Sequence, residues 1–239
     1  MGILGIIPAR GGSKGVARKN IREVAGRPLI AYTIEAAAGS QELTHFVCST
    51  EDTEIARIAN DLGCPVLERP AELAGDATPM KAVIRQVLAA VRPTPEIVVL
   101  LQPTSPLRTS AHIDCAIQML VHADADSVVS VSRVAGHFHP EWQLKLDHDN
   151  QLRLWDGKSL NEVITRRQDL LPSFTRNGAV YAFRVSSFLK SDSIYGERCL
   201  GFVMKPEESI NIDSEDDVFL AGLRITEAGA ASSRMEAGY

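Results

Sequence analysis

Residues 3–20 read Ile3-Leu4-Gly5-Ile6-Ile7-Pro8-Ala9-Arg10-Gly11-Gly12-Ser13-Lys14-Gly15-Val16-Ala17-Arg18-Lys19-Asn20. The apolar run predicts a buried strand over Ile3–Ile7, and it ends in a Gly-rich turn carrying Arg10, Lys14, Arg18 and Lys19. Glycines let backbone N–H groups approach an anion with no Cβ in the way. Successive N–H groups in such a turn form an anion-binding concavity. Lys and Arg neutralise the charge that backbone dipoles cannot. The pattern names a ligand class, a polyphosphate. Three other readings compete. A P-loop needs G-x-x-x-x-G-K-[ST]; the one Gly-Lys-Ser is Gly157-Lys158-Ser159, and position 152 is Leu. Gly11-Gly12-Ser13-Lys14-Gly15 fits G-x-S-x-G literally, but that elbow leads straight into a helix, and here Gly26 and Pro28 precede the next apolar pattern. The third reading is a solvated surface loop.

Working outward, strand-like runs alternate with helical patterns. Helices are predicted over Pro28–Ala38, from a cap at Thr50 or Asp52 to Leu62, over Met80–Val91, over Ala111–His122 and over Ser214–Glu227. Strands are predicted over His45–Ser49, Glu96–Leu101, Ser127–Val131 and Ala179–Arg184. Glu96–Leu101 has the continuous apolar character of a strand buried on both faces of a parallel sheet. The alternation predicts a doubly wound α/β domain over 1–227, with ligands bound beyond the carboxyl ends of the strands. Residues 133–176 break the rhythm and hold both tryptophans and three of the six histidines. They read as an inserted β-arm that packs on the domain or on a second subunit. Residues 228–239 lack a core pattern and read as a flexible tail.

The chain has 239 residues, a net charge of −5 and 45 % hydrophobic residues, with a pI near 5.7. That balance argues against a general nucleic-acid binder and makes the cationic turn a local exception, hence a site. Cys48, Cys64, Cys115 and Cys199 form no C-x-x-C pair; they read as buried free thiols of a reducing compartment. No cationic stretch precedes an apolar one at the N-terminus, and Ile97–Leu101 is too short to span a bilayer. The expectation is a cytoplasmic protein with no membrane partner.

Other segments carry candidate chemistry. Gln102-Pro103-Thr104-Ser105-Pro106-Leu107-Arg108 follows the central strand, and its prolines stiffen a turn that places Gln102 beside the Gly-rich loop; the alternative is a plain turn with Thr109 or Ser110 as helix cap. In Asn211-Ile212-Asp213-Ser214-Glu215-Asp216-Asp217, Asp213 reads as closing a short strand, where its carboxylate can hold Mg²⁺ against phosphates. Ser214 and the acids after it suit a helix N-terminus. Arg166-Arg167 can fork onto a carboxylate or phosphate, or form a solvated or inter-subunit cluster. Gly178 reads as a tight turn or a close ligand approach. Arg69, in a loop with Asp76, could contact a base or phosphate. His137 and His139 lie two apart with no third ligand nearby, which disfavours a metal site.

Taken together, Ile7–Gly15 with Arg18-Lys19-Asn20, Arg69–Ala74, Leu101–Arg108, Arg167-Gln168, Asn177–Tyr181 and Ile212-Asp213 resemble, in order, the motifs of the acylneuraminate cytidylyltransferases. These are the CMP-sialic acid synthetases and their legionaminic and pseudaminic acid relatives. The resemblance runs to about residue 225. It implies a three-layer α/β/α Rossmann-like nucleotide-diphospho-sugar transferase fold with a mostly parallel sheet and an inserted dimerisation arm. It also implies a reaction in which the anomeric hydroxyl of a nine-carbon 2-keto-3-deoxy acid sugar attacks the α-phosphorus of CTP, releasing pyrophosphate. Arg10, Gly11, Gly12, Ser13 and Lys14 would hold the triphosphate. Lys19 and Asn20 would line the nucleotide site, and Arg69 would lie near the cytidine. Gln102, with Asn177 and Tyr181, would face the sugar. Arg167 would bind its carboxylate across a homodimer interface. Asp213, with Asn211, would hold Mg²⁺; Arg10, Lys14, Gln102 and Asp213 would be catalytic. Asn211 stands where many relatives carry Asp, which removes a negative charge. Val16-Ala17 stands where relatives often carry proline. The residues leave open another nucleotidyltransferase or a silent nucleotide binder.

Overall fold

A computed structural model describes the backbone of residues 1–236 and the side chains of residues 1–228. The strands are β1 (Ile3–Pro8), β2 (Glu23–Val24), β3 (Arg27–Pro28), β4 (His45–Thr50), β5 (Val66–Glu68), β6 (Ile97–Leu100), β7 (Ser127–Arg133), β8 (Leu144–Leu146), β9 (Leu152–Leu154), β10 (Phe174–Arg184) and β11 (Cys199–Met204). The helices are α1 (Leu29–Ala38), α2 (Thr53–Asp61), α3 (Met80–Ala90), α4 (Ser110–His122), α5 (Val185–Ser191) and α6 (Glu215–Glu236).

Seven strands form one sheet in the order β11-β7-β10-β6-β1-β4-β5. All run parallel except β10, which is antiparallel to both β6 and β7. β1 and β6 are buried on both faces, as their unbroken apolar character requires. Alternation along β1 sends Ile3 and Ile7 to one face and Leu4 and Ile6 to the other. The first face packs under α1, α2 and α4 through Ile34, Ile55 and Ile117. The second packs under α3 and α5 through Ile84, Val87 and Phe188. The result is an α/β fold of three layers, with the carboxyl ends of β1, β4, β5 and β6 along one edge. A third apolar cluster joins Val16 of the Gly-rich turn, Val24, Leu29, Ile212 and Ala221 of α6. It fixes the turn against the segment before α6.

Several local expectations change. Residues 210–214 form no strand; Asp213 lies in a loop. That loop is tied down by the Ile212 N–H, which donates to the Thr104 carbonyl at 2.8 Å, and by burial of the Ile212 side chain. Ser214 does cap α6: its Oγ accepts from the Asp217 N–H, and Asp217 accepts from the Ser214 N–H. α6 continues past Glu227 to Glu236, and residues 237–239 of the expected tail lie outside the described residues. α5 and the edge strand β11 had no counterpart in the pattern. Cys48 and Cys64 are buried, but Cys115 and Cys199 are exposed; all four are free.

The interruption at 133–176 has a topological cause. Arg133 of β7 pairs with Phe174 of β10, so the excursion leaves and re-enters the sheet between antiparallel neighbours. It carries the β8–β9 hairpin and exposes Phe138, Leu146, Trp155 and Leu171 at 65–82 %. Among the described residues, no helix is long and apolar enough to cross a membrane.

Candidate active site

A cleft of about 380 Å³ opens at the carboxyl edge of the sheet. The turn after β1 contributes Arg10, Ser13, Lys14, Lys19 and Asn20; the segment after β5 contributes Arg69; the turn after β6 contributes Gln102; the loop before α6 contributes Asn211 and Asp213. Residues far apart in sequence therefore share one site. The Gly-rich turn is held from below: the Gly11 N–H donates to Glu51 Oε1 at 2.7 Å, and Asn20 Nδ2 donates to the Arg10 carbonyl at 2.9 Å. Gly12 is exposed, with open space where a Cβ would stand. A Cβ on Gly15 would lie 2.3 Å from the Asp213 carbonyl oxygen, so only glycine lets these two loops meet.

The cations of the cleft have specific partners. Arg10 Nη1 and Lys14 Nζ each lie 2.8 Å from the Asp76 carboxylate. The hydrogen bond from Lys14, with the nearby positive charge, holds the Asp76 carboxyl below its ordinary range. Lys19 Nζ donates to the Ile212 carbonyl at 2.6 Å and to Asp213 Oδ1 at 2.9 Å. Arg69 is buried; its Nε donates to Ser49 Oγ at 3.2 Å and its Nη2 to the Ser49 carbonyl at 2.6 Å. Burial lowers its pKa, since desolvation disfavours the charged form. Arg18 departs from the expected cradle. It adopts a left-handed backbone (φ 54°) and turns to the start of α2, pairing with Asp52 at 2.7 Å and Glu54 at 2.6 Å.

The wall opposite the turn depends on a bulge in β10. Register with β7 shifts between Arg176 and Tyr181. At the bulge Gly178 has φ +77°, and a Cβ there would lie 2.9 Å from Gln102 Oε1 and 3.3 Å from Asn211 Oδ1. The glycine makes room for both side chains. The Asn177 side chain is buried and occupied by the fold: Oδ1 accepts from Ser130 Oγ at 2.6 Å, and Nδ2 donates to Ser209 Oγ at 2.9 Å. Arg108 escaped the sequence reading as a site element. Its Nη1 donates to the Gln102 and Ala179 carbonyls, each at 3.0 Å, and its Nη2 donates to Thr33 Oγ1. Complete burial brings this guanidinium down to about 9. Its only signal was its place closing the Gln102–Arg108 motif.

Two further expected residues lie elsewhere. Tyr181 packs in the core beneath α3 and α5, where burial raises its pKa. Arg167 lines a separate pocket of about 30 Å³ in the excursion, with Arg133, His139 and Leu171. His139 uses both ring nitrogens locally: Nε2 lies 2.7 Å from the Leu171 carbonyl oxygen, and Nδ1 accepts from the Glu141 N–H at 3.2 Å.

The cytidylyltransferase family model matches residues 4–205. An N-acylneuraminate cytidylyltransferase of Streptococcus agalactiae serotype V is 34 % identical over 89 % of this chain, which spans about half (50 %) of that relative's length. A CMP-N,N'-diacetyllegionaminic acid synthase of Campylobacter jejuni is 34 % identical over 90 % of this chain and 91 % of its own. Among solved structures, a CMP:2-keto-3-deoxy-manno-octonic acid synthetase complexed with CTP superposes with a TM-score of 0.70 at 15 % identity, over 96 % of this chain and 100 % of that one; it supports the fold. With the match to residues 4–205, these relatives place the chain in the cytidylyltransferase family.

Proposed function

We propose that this chain is a nucleotidyltransferase that transfers CMP from CTP to the anomeric hydroxyl of a nine-carbon 2-keto-3-deoxy acid sugar of the sialic, legionaminic or pseudaminic type. The observation that carries the reading is the convergence of Arg10, Lys14, Lys19, Gln102 and Asp213 on one cleft. The new bond joins the sugar oxygen to the α-phosphorus, the bond to the β-phosphate bridging oxygen breaks, and pyrophosphate leaves. Such a reaction needs positioning and charge neutralisation above all. Arg10 and Lys14 bind the phosphate oxygens, Ser13 and the Gly11–Gly12 turn supply short-range donors, and Lys19 and Asn20 shape the nucleotide end. Arg69 lies toward the cytidine. Gln102, held beside Gly178, orients the sugar at the attacking oxygen.

A divalent cation, Mg²⁺, supplies further charge neutralisation at the phosphates. Asp213 and Asn211 would hold it. The donor set fits: Asp213 has an exposed carboxylate, and Asn211 Oδ1 is buried with no hydrogen-bond partner among the described residues. Mg²⁺ needs only one or two protein ligands when substrate phosphates provide the rest. Arg167 binds the sugar carboxylate in a homodimer built through the apolar excursion, whose exposed Trp155 and Leu171 support burial against a second copy. The protein acts in the cytoplasm, with no nucleic-acid or membrane partner.

The test is pyrophosphate release with CTP and Mg²⁺ against N-acetylneuraminic, legionaminic, pseudaminic and 3-deoxy-octulosonic acids, each with a sugar-free blank. Release with one nine-carbon acid supports the reading and names the substrate. Binding of CTP with no release from any of them overturns it.

A further inference from the structure

We propose that Asp76 is an internal anion that holds the phosphate position of the empty cleft, so that nucleotide enters by displacing its carboxylate and pyrophosphate leaves as the carboxylate returns. The inference rests on the reading of the cleft as a CTP site. Asp76 Oδ1 lies 2.8 Å from Arg10 Nη1, and Oδ2 lies 2.8 Å from Lys14 Nζ. One carboxylate thus spans two cations with two oxygens, as a phosphoryl group would. The cations stand on the turn after β1, whereas Asp76 stands on the separate segment between β5 and α3. The pairing therefore joins two loops that can part without breaking a strand or helix.

The exchange is accessible. Lys14 is 80 % exposed and Asp76 45 % exposed, so water can solvate both groups as they separate, and such pairs are weak. An aspartate is ionised at neutral pH, and the hydrogen bond from Lys14 lowers the Asp76 pKa further. The other cations of the cleft are committed elsewhere, Lys19 to Asp213 and Arg69 to Ser49, so Asp76 acts on Arg10 and Lys14 alone. A ligand that needs both cations must evict it. A ligand that reaches only the nucleoside end of the cleft need not. The internal competitor weakens polyphosphate binding and, by the same amount, eases departure of the polyphosphate product.

A merely structural ion pair predicts the opposite sign. If Asp76 only held Arg10 and Lys14 in place, its removal would disorder them and weaken anion binding. Calorimetric titration of the full chain with inorganic pyrophosphate, tripolyphosphate and CMP, at fixed ionic strength, separates the two. Asp76→Asn and Asp76→Ala should bind pyrophosphate and tripolyphosphate about threefold to tenfold tighter, with CMP affinity within about twofold. Stopped-flow should show slower pyrophosphate dissociation. Equal or weaker pyrophosphate binding in both variants, with thermal unfolding unchanged, would overturn the proposal. Tighter pyrophosphate binding with no CTP-dependent turnover on any sugar would support Asp76's role and sink the activity reading instead.

Discussion

Lys19 and Asp213 meet at 2.9 Å although 194 positions separate them in the chain. The contact joins the turn after β1 to the loop before α6, and Asn211 Nδ2 grips the other Asp213 oxygen at 2.6 Å. Asp213 is therefore held in place by neighbours while remaining 71 % exposed to an incoming cation. Asp213→Asn removes the charge and keeps the shape. We expect kcat/KM in the pyrophosphate-release assay to fall about 100-fold or more, the scale of losing a transition-state electrostatic contact. The melting temperature should move little, since Asp213 is 71 % exposed and Lys19, 13 % exposed, keeps its hydrogen bond to the Ile212 carbonyl. A variant of unchanged activity would remove Asp213 from the catalytic set.

Gly178→Ala tests the opposite wall. The substitution places a Cβ at φ +77°, 2.9 Å from Gln102 Oε1. The backbone strain costs about 1–2 kcal/mol, and Gln102 must shift as well. Activity should fall further than stability, with the Michaelis constant for sugar rising more than that for CTP. Equal effects on both substrates would show that the bulge does not position Gln102.

The features legible in the sequence are those encoded locally. Ile97–Leu100 announces a two-sided buried strand, and Arg10–Lys14 announce a cationic turn at a strand end, because neighbours in sequence make both signals. Thr109 and Asp52 cap α4 and α2 as their side chains suggest. What escaped was set by distant partners. The antiparallel sense of β10 is not written in its own apolar run. β11 is an edge strand whose solvent-facing residues dilute the signal, and α5 has only seven residues. Arg18 resembled its cationic neighbours until Asp52 and Glu54 were placed beside it. Asp76 reads in the sequence only as a loop neighbour of Arg69, because its partners Arg10 and Lys14 stand on a different loop.

Arg108 should be needed for folding more than its charge would suggest. It is buried without a carboxylate partner among the described residues, and it links the Gln102 turn, the β10 bulge and α1. Arg108→Met spares the desolvation of a cation but strips a donor from the Ala179 carbonyl and leaves the Gln102 carbonyl with the Ser105 N–H at 3.4 Å. Unsatisfied groups of this kind cost about 1–3 kcal/mol each. Urea unfolding should show a net loss of about 2–4 kcal/mol. Arg108→Lys should not restore it, because one ammonium cannot fork to all three acceptors. Wild-type stability in the Met variant would refute the bracing role.

The thiols give a pH signature. Burial pushes Cys48 up to about 12 and Cys64 up to about 11, against 9.0 for an unperturbed thiol. The folded state thus keeps protons that the unfolded chain releases above pH 9. By linkage, this contribution is fully present below pH 9 and is lost as pH rises toward 11 and 12. The urea midpoint should therefore fall as pH rises from about 9 toward 11, and Cys48→Ala should flatten that fall despite its lower starting stability. A disulfide-exchange reagent should label Cys115 and Cys199 in the native protein, and Cys48 and Cys64 only after unfolding, as their exposure dictates. Rapid native labelling of Cys48 would contradict the burial that produces the shift.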